Sequence, residues 1–519
     1  MLPGEKLVHE KVRKLPPIVM VGVGGGGSRI LSEGLEKLTK HAQLDRYSCV
    51  LKAIGAESGK PHVFIVDTSS DPKTKGFYTN IPEDHKISLS SSIKGMSRGA
   101  GGKPGRALKA VLNEEVSGTL AKDLYKPVAD IGPAIVVFMH TADGGTGGGL
   151  TPELIQQMAY VLPQSTVFWV FTVMPTMTSI SLQGPRTVAP NIGKLLKVIR
   201  RVAEKDYHEI PFECREAIRA TVPEQRVDRS YEFVHSRVAL FPMSNDHFAQ
   251  CHRGGDRVEI REEILNPFPM ELLSQALYPF LKYVVSTEQE QQWMQKYWPM
   301  GPIDIPDIMA GVQADRPLVT PHLWIDPKDW GAGGPESVIN DMKAGTIRME
   351  KVEGDVKEGL PDSFTITGTP TALFEFRATS MYCIPVYPEG SSRFEDFGDL
   401  VSDEWFPKLS GSLKYVGGAD GRKVGVISHS ANLKPQPIIR PKEKVLGFED
   451  GLLVTLIFGA IPADFPVWLG AVKDIMKEHR TEEMWELSFY DANDWLSELG
   501  KYIGWKDWLT QEYKQEKVM

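Results

Sequence analysis

GVGGGGSR (Gly22 to Arg29) directly follows the apolar run Ile18 to Val21, and ADGGTGGGLTP (Ala142 to Pro152) directly follows Ile135 to Met139. Each pattern reads as a strand that ends in glycine and then opens a helix. Such a turn lets bare backbone N–H groups wrap a phosphate, and the helix N-terminus adds partial positive charge. One turn of this kind occurs in dinucleotide binders, P-loop proteins and ordinary tight turns alike. Two of them, the second with Thr146 among its glycines, narrow the field.

Outward from these runs, short apolar segments alternate with helical ones up to about residue 245. Ile18 to Val23, Val63 to Asp67, Ile135 to Met139, Val167 to Met174 and Val238 to Pro242 read as buried strands. Near-continuous apolar strands imply helices on both faces of a parallel sheet. Ser28 to His41, Arg106 to Ala121, Pro152 to Tyr160 and Pro190 to Ala203 carry the helical spacing. Leu272 to Gln295 follows as a longer helical stretch, with Pro279 expected to kink it or break its first turns. From about Pro317 the texture changes to loops and alternating strands, among them Ser363 to Thr367, Ala372 to Ala378, Tyr382 to Val386, Lys423 to His429 and Gly451 to Ile461. Helices are expected at Phe465 to Glu478 and Ala492 to Glu512. The expected fold class is α/β: a Rossmann-like parallel-sheet domain with ligand loops at its strand C-termini, a long central helix, and a second α/β domain with a mixed sheet.

The 519 residues suffice for two or three domains with full cores. A net charge of -8, from 67 acidic and 59 basic residues, argues against a general nucleic-acid binder. Four cysteines lie far apart with no CxxC pair, so neither a zinc ribbon nor a disulfide framework is suggested, and a reducing cytoplasm is the expected setting. The charged N-terminus lacks the apolar core of a signal peptide. No window approaches the roughly 20 apolar residues that span a bilayer.

Two further loops suit a nucleotide. Val63 to Val66 runs into Asp67, Thr68, Ser69, Ser70 and Asp71, oxygen groups that fit magnesium-bound water or ribose, or alternatively a helix cap or Asx-turn before Pro72. RGAGGKPGR (Arg98 to Arg106) places Ala100, Gly101 and Gly102 where a loop could close over a γ-phosphate, although alone it reads as a surface loop. Neither GAGGKP nor AESGKP is a P-loop, because proline stands where serine or threonine is needed. A dehydrogenase fingerprint would put an acidic residue about 20 positions after the first glycine run, and Asp67 lies much too far along.

Taken in order, these loops resemble those of the tubulin/FtsZ superfamily of self-assembling GTPases. Its signature loop is GGGTG[ST]G; here DGGTGGGLTP has Asp143 for the first glycine and Gly148 for the serine or threonine. GVGGGGSR is similar to the GVGGGGGN of FtsZ, with Ser28 near the family's asparagine, and RGAGGKPG resembles its γ-phosphate loop GLGAGANPEVG. SLQGPR (Ser181 to Arg186) stands where FtsZ carries the ribose loop FEGxxR, with Gln183 in place of the glutamate. LFPMSNDHF resembles IPNDKLL, which puts Asn245 on guanine, and ILNPF resembles LLDAF, which puts Asn266 at the second guanine position. GPIDIPDI (Gly301 to Ile308) resembles the synergy loop NVDFADV, with Asp304 and Asp307 at the family's spacing and Pro302 for its asparagine. NPFPME (Asn266 to Glu271) fails as an alternative synergy loop, because Phe268 would replace the middle carboxylate and too few residues would follow Asn245 for a central helix.

The resemblance implies a GTP-hydrolysing cytoskeletal protein that polymerises head to tail with copies of itself. GTP or GDP with Mg2+ would be held by Gly24, Gly25, Gly26, Gly27, Ser28, Asp67, Ala100, Gly101, Gly102, Gly144, Gly145, Thr146, Gly147, Gly148, Gln183, Asn245 and Asn266. Asp304 and Asp307 would enter the next subunit's pocket and orient the attacking water, as catalytic residues; no metal ligand is assigned. The alternative is a nucleotide-binding structural relative that does not hydrolyse. The implied division is an N-terminal extension (1–16), a GTP-binding domain (17–265), the central helix and synergy loop (266–315), a mixed-sheet domain (316–464) and C-terminal helices (465–519). The last of these, with Trp495, Leu496, Leu499, Ile503, Trp505, Trp508 and Leu509 among charges, reads as helices packed on the second domain, with a surface for an adaptor or membrane as the alternative. No linker or adaptor peptide of the bacterial division protein is recognisable.

Overall fold

The computed structural model describes residues 15–43, 45–69, 78–90, 100, 104–175, 177–222, 237–245, 249–251, 258–260, 262–295 and 309, and the strand segments 322–325, 350–351, 364–365, 380–388, 436–438 and 452–459. Six strands form one sheet: β1 (Ile18–Val23), β2 (Val63–Asp67), β3 (Lys86–Ser88), β4 (Ile135–Thr141), β5 (Val167–Met174) and β6 (Val238–Ser244). Their order is β3-β2-β1-β4-β5-β6, and every pairing is parallel. The chain therefore winds outward from β1 to β3, then returns to β4 on the other side of β1. The switch lies between the C-terminal ends of β1 and β4, which is where the two glycine runs begin.

Strand side chains alternate between the two faces, and the core divides accordingly. Val19, Val21, Val136, Phe138, Phe168 and Val170 face one cluster. It is closed by α3 (Pro104–Val111), α4 (Glu114–Leu120), α5 (Lys126–Ile131), α6 (Gly145–Val161), α7 (Met177–Glu204) and α8 (Phe212–Thr221). Ile18, Met20, Val137, Met139, Trp169 and Phe171 face the other, which is closed by α1 (Gly24–Lys40), α2 (Asp45–Ala53) and α10 (Phe268–Val285). A short α9 (Glu262–Leu265) precedes α10, and α11 (Glu288–Gln295) follows it. Both faces are covered, as the unbroken apolar strands require.

Several boundaries differ from the sequence reading. Strand β3 is not foreseen, since three residues at a sheet edge carry too short a pattern. The helix expected over Arg106 to Ala121 breaks at Asn113, whose side chain accepts from the N–H groups of Glu115 and Val116 and so caps α4. Helix α4 then runs through a π-helical turn, Ala121–Tyr125, into α5. Pro279 does not interrupt α10: Leu273, Leu277 and Leu281 are fully buried on the sheet, and about 2 kcal/mol of burial for each leucine outweighs one lost hydrogen bond. The helix ends instead at Ser286, whose N–H and hydroxyl both donate to the Lys282 carbonyl.

Beyond the parallel sheet, β7 (Ala249–Cys251) and β8 (Val258–Ile260) form an antiparallel pair. A second sheet has the order β13-β12-β14-β9, built from β9 (His322–Ile325), β12 (Ser380–Pro388), β13 (Gln436–Ile438) and β14 (Leu452–Gly459). It is mixed as expected, with β12 parallel to β13 and antiparallel to β14. The small pair β10 (Glu350–Lys351) and β11 (Phe364–Thr365) is antiparallel. The expected strands Ala372 to Ala378 and Lys423 to His429, and the C-terminal helices, lie outside the described residues.

Candidate anion and nucleotide site

Both helices begin inside the glycine runs, α1 at Gly24 and α6 at Gly145, which corrects the expectation that they begin at Ser28 and Pro152. Glycine's poor helix propensity argues for a later start, but close packing prevails here. A Cβ on Gly27 would overlap the Met139 carbonyl oxygen of β4, so α1 can leave β1 only if its first turn has no side chain there. Gly24 takes φ +69, and a Cβ on it would lie 2.8 Å from the Gly147 backbone nitrogen. The first turns of α1 and α6 thus touch, backbone against backbone.

Neither helix has a side-chain N-cap, and neither has an acidic residue in its first turn. Each N-terminus leaves its first N–H groups without intrahelical partners and carries roughly half a positive charge. Two such ends packed together at the sheet's switch point make a candidate cradle for an anion, at the position where open α/β sheets bind ligands. Gly25 and Gly26 are exposed there, while Gly24, Gly27, Ser28, Gly145, Gly147 and Gly148 are buried and Gly144 and Thr146 half-buried.

A third loop is tied in by one hydroxyl. Thr68, fully buried just past β2, has its Oγ1 2.6 Å from Thr146 Oγ1, and the backbone N–H of Ala100 donates to Thr68 Oγ1 at 3.0 Å. The loop after β2, the first turn of α6 and the segment at Ala100 therefore meet at one atom. Asp67 Oδ1 accepts from the Ser69 N–H in an Asx-turn. Gly101 and Gly102 lie outside the described residues. No group of three or more His, Cys, Asp or Glu able to hold a metal occurs among the described residues.

Tyr78, which the sequence reading did not select, donates its hydroxyl to the Gly25 carbonyl at 3.4 Å. Burial, then the charge of Asp67, raises its pKa, so it stands as a neutral phenol. Its segment is pinned to α1 by two bonds between Asn80 and Ser32. Beneath the second glycine run, His140 is buried with Nε2 2.8 Å from Thr172 Oγ1, and burial pushes its pKa down to about 4.

The residues read as base contacts lie at the same strand ends or against α1. Asn245 follows β6, and its buried Oδ1 has no hydrogen-bond partner among the described residues. Asn266, before α10, donates Nδ2 to Glu33 Oε2 at 2.8 Å. Glu33 also accepts from Arg29, which pairs in turn with Glu262. A carboxylate only accepts, so it fixes which end of the Asn266 amide faces it and leaves Oδ1 for another donor. Hydrogen bonding to Glu33 raises the Arg29 pKa against the opposing effect of burial. Gln183 lies inside α7, not in the loop expected over Ser181 to Arg186; its side chain is outside the described residues. Asp304 and Asp307 are outside them as well.

These features define a doubly wound, Rossmann-like α/β domain with a candidate anion cradle made of two helix N-termini. The sequence matches no protein-family model and no curated protein. Among solved structures the chain is similar to CetZ2 from Haloferax volcanii in a GTPgS-bound protofilament, with 13% identity and a TM-score of 0.45 over 90% of this chain and 100% of that one.

Proposed function

We propose that the chain is a GTP-binding and GTP-hydrolysing filament protein of tubulin/FtsZ type, assembling head to tail with copies of itself. The observation that carries this reading is the contact of two uncapped helix N-termini, α1 and α6, at the β1/β4 switch point. The cradle suits phosphates; Thr146, Thr68 and Ala100 sit beside it. The amide oxygens of Asn245 and Asn266, one buried without a donor among the described residues and the other oriented through Glu33, suit the N–H edge of guanine.

Magnesium fits as a companion of the nucleotide, held by phosphate oxygens and water with few protein ligands. When bound it would offset charge on the phosphates. The chain's own part is to bind and orient the triphosphate through backbone N–H groups, while Asp304 and Asp307 of the next subunit orient water against it. Hydrolysis is thereby coupled to assembly. No helix among the described residues is long and apolar enough to cross a membrane; the proposed setting is the cytoplasm.

The test is phosphate release per subunit as a function of protein concentration. It should rise steeply, and Asp304→Ala should abolish it while filaments persist in electron micrographs. Turnover independent of concentration contradicts the shared site. Bound guanine nucleotide with no release at any concentration favours the non-hydrolysing relative.

A further inference from the structure

We propose that Asn191, on α7, is a positioning residue that holds the Ala142 to Gly148 loop in its anion-accepting conformation. Asn191 is 3% exposed, and Nδ2 donates to the Ala142 carbonyl at 2.7 Å and to the Gly144 carbonyl at 3.3 Å. Both acceptors are carbonyl oxygens, so the amide nitrogen must face them, and both of its hydrogens are used.

The consequence follows from peptide geometry. In a trans peptide the C=O and the following N–H point to opposite sides, and no cis bond occurs among the described residues. Two carbonyls drawn toward α7 therefore turn the N–H groups of Asp143 and Gly145 away from it. Neither N–H has an acceptor among the described residues. With the first-turn N–H groups of Thr146 and Gly147, they form the donor set of the cradle.

Gly148 belongs to the same device. A Cβ there would overlap Nδ2 of Asn191, so the amide occupies the volume that a side chain at 148 would fill. Further along the same two helices, Lys194 and Glu153 form a buried ion pair that fixes α7 against α6. Burial lowers the Lys194 pKa and the Glu153 charge opposes this. Thr151 Oγ1 donates to the Gly147 carbonyl at 2.6 Å and secures the first turn from within α6. Asn191 thus works at the free end of a register already set by the ion pair.

The identity of the anion rests on the GTP reading above; the hold on the loop does not. The full chain is compared as wild type, Asn191→Ala, Gly148→Ser and the double variant, with Asn191→Asp as the near-isosteric version should the alanine variant fold poorly. Hydrogen exchange over residues 141–149, without nucleotide, should quicken about tenfold in each single variant, the loss expected for one hydrogen-bonded anchor. Exchange in β1 and β5 should not change. The GTP dissociation constant should weaken by about the same factor. In the double variant the two losses should overlap instead of multiplying, because one contact is removed twice. Unchanged loop exchange in Asn191→Ala or Asn191→Asp overturns the proposal, as do multiplying effects in the double variant or faster exchange with unaltered affinity. If wild type binds no GTP, the nucleotide reading fails and loop exchange alone decides the role of Asn191.

Discussion

The hydroxyls of Thr68 and Thr146, 78 positions apart in sequence, lie 2.6 Å from each other at the switch point of the sheet. Thr68 also accepts the backbone N–H of Ala100, so one buried oxygen joins the loop after β2, the first turn of α6 and the segment at Ala100. Replacing it with the isosteric valine leaves the Ala100 N–H and the Thr146 hydroxyl short of a partner. Thr68→Val should cost about 1–3 kcal/mol of stability, read from denaturant unfolding, and weaken nucleotide binding. Thr146→Ser, which keeps the hydroxyl, should change stability much less.

The glycines of the first run are unequal. A Cβ on Gly27 overlaps the Met139 carbonyl, whereas one on Gly25 meets nothing within 4 Å. Gly27→Ala should destabilise the domain by about 1–3 kcal/mol or more through overpacking, while Gly25→Ala should leave the melting temperature unchanged. Equal losses in thermal unfolding would contradict the close approach of α1 to β4.

His140 sets a pH dependence. Its folded pKa of about 4 lies below the ordinary 6.5 because burial disfavours the charged ring. Between those values the unfolded chain binds more protons, so stability rises with pH. The contribution is complete above about pH 6.5 and is lost as pH falls toward 4, amounting to about 3 kcal/mol. His140→Gln should flatten this part of the stability curve; parallel curves for the two proteins would be the opposing result.

Glu33 is placed to orient Asn266 through a 2.8 Å bond. Glu33→Ala frees the Asn266 amide to rotate, and GTP affinity should fall about tenfold with the fold intact by circular dichroism. Discrimination against ATP should shrink together with it. Retention of both affinity and discrimination would remove Asn266 from the base site.

Much of this architecture is legible in the amino-acid sequence alone. Five of the six parallel strands stand out because apolar runs such as Val167–Met174 are buried on both faces and need no partner pattern to be recognised. The glycine runs mark the switch point because the backbones of Gly24 and Gly147 must approach each other. Helix starts are less legible: α6 begins at Gly145 because the fold requires it, against its own propensity. The residues that hold the site together are the least visible. Asn191, Glu33, Thr68 and Tyr78 act through contacts across 47, 233, 78 and 53 positions, and no local spacing encodes such pairs.

The central claim is that the two helix N-termini bind a guanine nucleotide. Titration calorimetry of the purified full chain with GTP, GDP and ATP in magnesium buffer tests it most directly. The account predicts saturable binding of one GTP or GDP per chain, with ATP weaker by about a hundredfold or more, as expected when buried amide oxygens are left without donors. No saturable binding of either guanine nucleotide, or equal affinity for ATP, would contradict it.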